Sequence, residues 1–136
     1  MVECIFCKIT HKEIPSEILY EDEIALAVLD AHPIAPGHTI ILPKIHAETI
    51  LEVPNESLGP LFGVVKKVTG RLHETLHPDG FTIGINHGKW AGQAIDHLHI
   101  HVIPRWKTDG GSSIHGVVAN PPQETLTEMK NKIIKE

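Results

Sequence analysis

Long apolar runs are missing from these 136 residues. The longest, Ile24–Leu29, falls far short of the ~18 residues a membrane span requires, so the chain is read as having no membrane-embedded part. Positive charge is also in short supply: 12 Lys and Arg against 17 Asp and Glu leave a formal charge of −5, the wrong sign for a protein that grips nucleic acid through its phosphates. Met1-Val2-Glu3-Cys4 carries no basic region followed by an apolar one, and the expected compartment is therefore the cytoplasm. Only two cysteines occur, which excludes a disulfide scaffold. Repeats, low-complexity tracts and linkers are lacking too. With 41% apolar and 21% charged residues, the composition excludes disorder, collagen and coiled coil. One globular domain over 1–136 remains.

What the chain does have is histidine. Eleven imidazoles nearly equal the 12 lysines and arginines together, so imidazole chemistry is the first thing to look for. The two cysteines, Cys4 and Cys7, form a C-x-x-C pair. That spacing fits a redox pair, half of a zinc site or two unrelated buried thiols, and with no second C-x-x-C a metal has to recruit histidines.

The apolar patterning predicts short strands at 18–20, 24–29 and 38–42, then a long helix over 55–77. In that helix Leu58, Leu61, Phe62, Val65, Leu72 and Leu76 recur at three- and four-residue steps. Asn55 or Ser57 is expected to cap its start, and Pro78 and Gly80 to stop it. A strand at 81–86, a glycine-containing loop at 87–92 and a strand at 95–103 follow, and a short amphipathic helix is expected near the C-terminus. Strands in succession around one long helix predict an α+β fold with an antiparallel sheet of about five strands.

The most informative stretch is His97-Leu98-His99-Ile100-His101-Val102-Ile103. In a strand, alternation sends the aliphatics to one face and the three imidazoles to the other, roughly 6–7 Å apart. A solvent-exposed strand is the plainest interpretation. Two sharper ones are a metal shared by histidines at i and i+2, and a neutral imidazole acting as nucleophile while its neighbours orient it and bind an anion.

This run resembles the signature of the histidine triad family of nucleotide hydrolases and transferases. The resemblance extends over about residues 3–107, leaving 108–136 as a tail. It includes Cys4-Ile5-Phe6-Cys7, Pro36-Gly37-His38, Leu42-Pro43-Lys44 through His46, Asn86 and Ala91-Gly92-Gln93, where members of the zinc-containing prokaryotic type carry matching residues. It implies a homodimer joined through the region 58–92, and hydrolysis at the α-phosphorus of adenosine-type substrates, either nucleoside phosphoramidates or dinucleoside polyphosphates. In that reading His99 is the nucleophile, His101 contacts the phosphate, Gln93 and Asn86 help hold it, and Asp30 accepts from the ribose. Cys4, Cys7, His46 and His97 would hold one structural zinc ion per chain. Many relatives carry Ser or Thr where this chain has Ala94, whose methyl cannot assist a leaving group. Two rivals stand beside this reading: a non-catalytic nucleotide-sensing protein, and a metallohydrolase holding one zinc on all three histidines. His32, His38, His87 and His115 read as loop residues. Arg105 suits phosphate by its fork geometry, but nothing in the sequence gives its direction.

Overall fold

In β2 (Ala25–Leu29) side-chain size alternates with sheet face, and with its neighbour β3 (Thr39–Pro43) this organises the molecule. Ala25, Ala27 and Ile41 pack with Leu61, Val64, Val65, Val68 and Leu72 of the long helix α2 (Asn55–Leu76). Leu26, Val28, Ile40 and Leu42 point the other way, against Phe6 and Ile9 of α1 (Ile5–Thr10). Alternate strand residues face opposite sides, so the two alanines admit a helix close to one face while bulkier aliphatics fill the other.

These elements belong to a computed structural model of the chain, which describes residues 4–135. The N-terminal reading falls largely on Met1–Glu3, outside the described residues. A single antiparallel sheet has the order β1-β2-β3-β5-β4. Its remaining strands are β1 (Ile18–Glu21), β4 (Gly80–Gly84) and β5 (Ile100–Arg105). A last helix, α3 (Leu126–Ile134), begins with a capping box between Thr125 and Glu128. The expected α+β architecture with a five-stranded antiparallel sheet is the one observed. Among the described residues no helix is long and apolar enough to cross a membrane.

Three details differ from the expectations. Helix α2 has Pro54 at its N-cap and no side-chain cap, so neither Asn55 nor Ser57 caps it. The strand expected at 95–103 begins only at Ile100, because residues 95–97 bend and His97 N–H donates to the Ile95 carbonyl at 2.9 Å. Backbone groups used in that bend are lost to a ladder, and the alternation that would align three imidazoles on one face fails at its first member. The strand expected at 81–86 runs instead from Gly80 to Gly84.

One face of β4 and β5 stays open. There His101, Ile103 and Arg105 line a cleft of about 1330 Å³, while Ile100, Val102 and Pro104 are buried on the other side.

At the entry to β3, Gly37 adopts φ +80°, and a Cβ there would come within 2.5 Å of Leu76 Cδ1 and 3.2 Å of Pro104 Cγ. Gly37→Ala therefore combines a disfavoured backbone with a steric overlap and is expected to lower unfolding stability by about 1–3 kcal/mol. A urea denaturation midpoint equal to that of the wild type would show that the turn relaxes at no cost.

Candidate active site

Four residues from three segments converge behind the triad. Cys4 Sγ lies 3.3 Å from His97 Nδ1, and Cys7 Sγ lies 3.3 Å from His46 Nδ1 and 3.6 Å from His97 Nδ1. All four donor atoms lie within 4.8 Å of one another. A tetrahedral zinc ion with bonds of about 2.3 Å to sulfur and 2.0 Å to nitrogen sets S···N edges of about 3.5 Å, which these separations match. The tautomer agrees as well: His97 Nε2–H donates to the Pro43 carbonyl at 2.9 Å, leaving the Nδ1 lone pair directed at the thiols. Burial, followed by the neighbouring Cys4, pushes the Cys7 thiol up to about 11, a penalty that a bound divalent cation would relieve. The residues present therefore fit a structural metal.

His99 and His101 carry their protons on opposite nitrogens. His99 Nδ1–H donates to the His97 carbonyl at 2.8 Å, so Nε2 keeps its lone pair. Phe6, between the two cysteines in sequence, lies edge-on against the His99 ring with centroids 4.9 Å apart and fixes its tilt. At His101 the order is reversed, and the cause lies two residues further out. The Ile34 N–H donates to His38 Nδ1 at 3.2 Å, which places the His38 proton on Nε2. That proton is donated to His101 Nδ1 at 2.9 Å, leaving His101 with an Nε2–H. Burial, then the neighbouring imidazoles of His99 and His38, hold His101 down to about 4, so it is a neutral donor at neutral pH. Burial also lowers His38, although Asp30 opposes this. His38, read from sequence as a loop residue, is buried and lies directly behind His101. Its place in Pro36-Gly37-His38 was the one signal available, and position in a motif does not reveal a hydrogen bond.

Asp30, His38 and His101 also come together, with Asp30 Oδ2 3.5 Å from His38 Nε2 and 4.0 Å from His101 Nδ1. Two nitrogens and a carboxylate could serve a metal, but His38 Nε2 holds the proton that Ile34 dictates and has no lone pair to offer. The group is a hydrogen-bond chain. Nor do the three triad histidines converge on one point. His97 Nδ1 faces the cysteines, while His99 Nδ1 is donated to the His97 carbonyl. The geometry thus opposes a zinc shared by His97, His99 and His101.

Asp30 Oδ1 accepts from the His32 N–H at 2.8 Å, which closes the turn after β2 and leaves Oδ2 toward the cleft. Asn86 lines the cleft too, and its amide makes no hydrogen bond among the described residues. Gly92 is required beside it: φ is +105°, and a Cβ there would lie 3.3 Å from Asn86 Nδ2. Gln93 is buried, and its side chain is bonded to backbone groups on both sides. Arg105 is turned toward its own chain, with a two-pronged pair to Asp109 and further bonds to Thr82 Oγ1 and the Ser112 carbonyl. Lys44 pairs with Glu21 at 2.7 Å.

A sheet with one open half, bearing an acceptor imidazole beside a donor imidazole and a Cys₂His₂ group behind them, places the protein among those built around a histidine-rich strand. Residues 11–108 match the family called HIT domain, and the chain belongs to that family. The adenosine 5′-monophosphoramidase of Saccharomyces cerevisiae is 39% identical over 133 residues, covering 98% of this chain and 79% of the yeast protein. A HIT family crystal structure from Bacillus subtilis superposes with a TM-score of 0.86 at 34% identity, over 97% of this chain and 93% of that one. A zinc-bound histidine triad family structure from Mycobacterium smegmatis gives a TM-score of 0.74 at 33% identity, over 90% and 84%.

The lowered affinity of His101 for protons sets a pH dependence of stability. Between about 6.5, the ordinary imidazole value, and about 4, the unfolded chain binds a proton at position 101 that the folded chain refuses. This contribution is intact above pH ~6.5 and is lost as pH falls toward 4, with His38 acting in the same direction. The melting temperature should fall between pH 7 and 5, and fall less in His101→Asn. Parallel melting curves for the two proteins across that range would refute the assignment.

Proposed function

We propose that the protein is a nucleotidyl hydrolase of the zinc-containing type. It cleaves adenosine-type nucleoside phosphoramidates through a nucleotidyl intermediate on His99. The observation that carries this reading is the pair of opposite tautomers: an imidazole lone pair at His99 Nε2 next to an imidazole N–H at His101. A nucleophile beside a donor is what displacement at phosphorus needs. His99 Nε2 attacks the α-phosphorus, and the P–N bond breaks as the P–Nε2 bond forms. The leaving nitrogen takes a proton from solvent to depart as neutral amine, and the water that attacks in the second step returns that proton. His101 Nε2–H donates to a phosphoryl oxygen as negative charge collects there. Water then displaces the imidazole and releases the nucleoside monophosphate. Asn86 offers its free amide to the phosphate, and Asp30 Oδ2 accepts from the ribose. Zinc on Cys4, Cys7, His46 and His97 would brace α1 against the triad, and four protein ligands leave it no open position for catalysis.

The phosphoramidate branch is favoured over dinucleoside polyphosphates. A polyphosphate leaving group brings several negative charges, and among the described residues that line the cleft Lys89 is the one cation not held in an ion pair, Arg105 being held by Asp109. The name of the yeast relative supports the same branch.

The triad variants separate this mechanism from its rivals. His99→Ala should keep one zinc per chain and bind substrate, while turnover falls by several powers of ten. His101→Ala should also keep zinc, and lose a donor whose removal costs roughly 2.7–4 kcal/mol of transition-state stabilisation. His97→Ala should lose metal and thermal stability together. Loss of zinc from all three variants would mean a shared ion and a metallohydrolase. Absence of a nucleotidyl adduct on intact wild-type protein in rapid-mixing mass spectrometry would favour a sensing protein.

A second copy of the chain completes this reading. Strand β4 lies at the sheet edge with Ile83 exposed, and Phe62 is exposed on α2, so the region 58–92 presents an unpaired ladder and apolar side chains together. Light scattering should report about twice the 15.0 kDa chain mass, and 15.0 kDa at micromolar concentration would exclude the dimer.

A further inference from the structure

The loop from Asn86 to Gly92 borders the open cleft with little regular structure of its own: one 3₁₀ turn, Lys89–Ala91, lies between Gly88 at φ +92° and Gly92 at φ +105°. The Ala91 and Gln93 N–H groups donate to the Gly88 carbonyl and the Gly92 N–H to the Lys89 carbonyl, which closes the loop on itself, and the side chain of Gln93 is what ties it to the rest of the fold. Gln93 Oε1 accepts from the Gly88 N–H at 2.8 Å. Gln93 Nε2 donates to the Glu48 carbonyl at 2.7 Å and to the Ile95 carbonyl at 3.1 Å. Both amide hydrogens are therefore used, and the carbonyl oxygen has a partner. Residue 48 lies two positions beyond His46, and the intervening Ala47 carbonyl accepts from the Leu98 N–H at 2.7 Å, inside the triad. Segment 46–48 thus holds the triad directly and holds the loop through Gln93.

We propose that Gln93 is a positioning residue that carries the register of segment 46–48 into the loop 86–92, so that Asn86 and Gly92 meet the phosphoryl group where His99 attacks it. Gln93 touches no substrate itself. What the loop meets rests on the phosphoramidate reading, whereas the hydrogen bonds that hold the loop do not.

Two variants test this. Gln93→Met keeps the length of the side chain and removes all three bonds. Gln93→Glu keeps an acceptor for Gly88 and turns an acceptor toward the Glu48 and Ile95 carbonyls. Both should retain one zinc per chain, with amide exchange across 86–92 at least tenfold faster than in the wild type. With an adenosine phosphoramidate, kcat should fall about 10- to 100-fold and KM should change less than threefold, the pattern of a misplaced reacting geometry. Should Gln93→Met fail to fold, Gln93→Asn, which keeps the amide but loses reach, carries the same expectation.

A kcat within twofold of the wild type, or unchanged exchange across 86–92, would overturn the proposal. A lowered melting temperature accompanied by normal kcat would reduce Gln93 to a structural brace. If the wild type cleaves no phosphoramidate, the functional reading fails separately. Adenosine monophosphate then serves as probe: it should slow exchange across 86–92 in the wild type and not in Gln93→Met, and equal slowing in both would again overturn the proposal.

Discussion

The hydrogen bond from His97 Nε2–H to the Pro43 carbonyl, 2.9 Å long, is the constraint on which the site depends. It decides which nitrogen of His97 faces the cysteines, and it holds the ring of a fully buried residue between β3 and the bend that leads into β5. The carbonyl of the same residue then takes the Nδ1 proton of His99 and so exposes the other nitrogen of that ring. The Cys₂His₂ cluster and the lone pair of His99 are thus set from two sides of one residue. Neither Asn nor Gln at position 97 would present a lone pair and a donor on opposite edges of a rigid ring.

From the other side, His101 is set by a main-chain group. The Ile34 N–H orients His38, and His38 orients His101. Two imidazoles of the same composition, one just before β5 and one on it, become acceptor and donor only because their outward neighbours differ. The sheet they border is closed on its other face by α2 and on its far half by α1. The open half is where a ligand has access, and the fold leaves it open because α2 packs on the opposite face and α1 covers only β2 and β3.

Much of this was legible in the residues themselves. Period-two and period-3.6 patterns located five strands and the long helix, since apolar spacing reports burial directly. Cys4, Cys7, His46 and His97 were legible as a ligand set through resemblance, and they do converge. The bend at 95–97 was not legible: alternation continues through His97, and what breaks the strand is a backbone bond to Ile95, which leaves no mark on composition. His38 and the commitments of Gln93 were hidden for a related reason. Each depends on a main-chain N–H or carbonyl brought from a distant segment, such as Glu48 for Gln93. The same holds for Arg105, whose guanidinium reads as a phosphate ligand until Asp109 is seen against it.

That Arg105–Asp109 pair has a consequence for how a substrate arrives. Asp109 is held far below the usual carboxylate range by Arg105 and by the Gly111 and Trp106 N–H groups, so the two charges stay matched throughout the physiological range. Seen from solvent, they form a short dipole with no net field, in a chain that already carries −5. Long-range attraction for an anion is therefore lacking, and the net negative charge leaves a repulsion that salt screens, so encounter rates should rise modestly with ionic strength. Capture depends on directional donors at contact distance, and discrimination between ligands falls to shape and hydrogen-bond geometry inside the cleft, not to charge at its mouth.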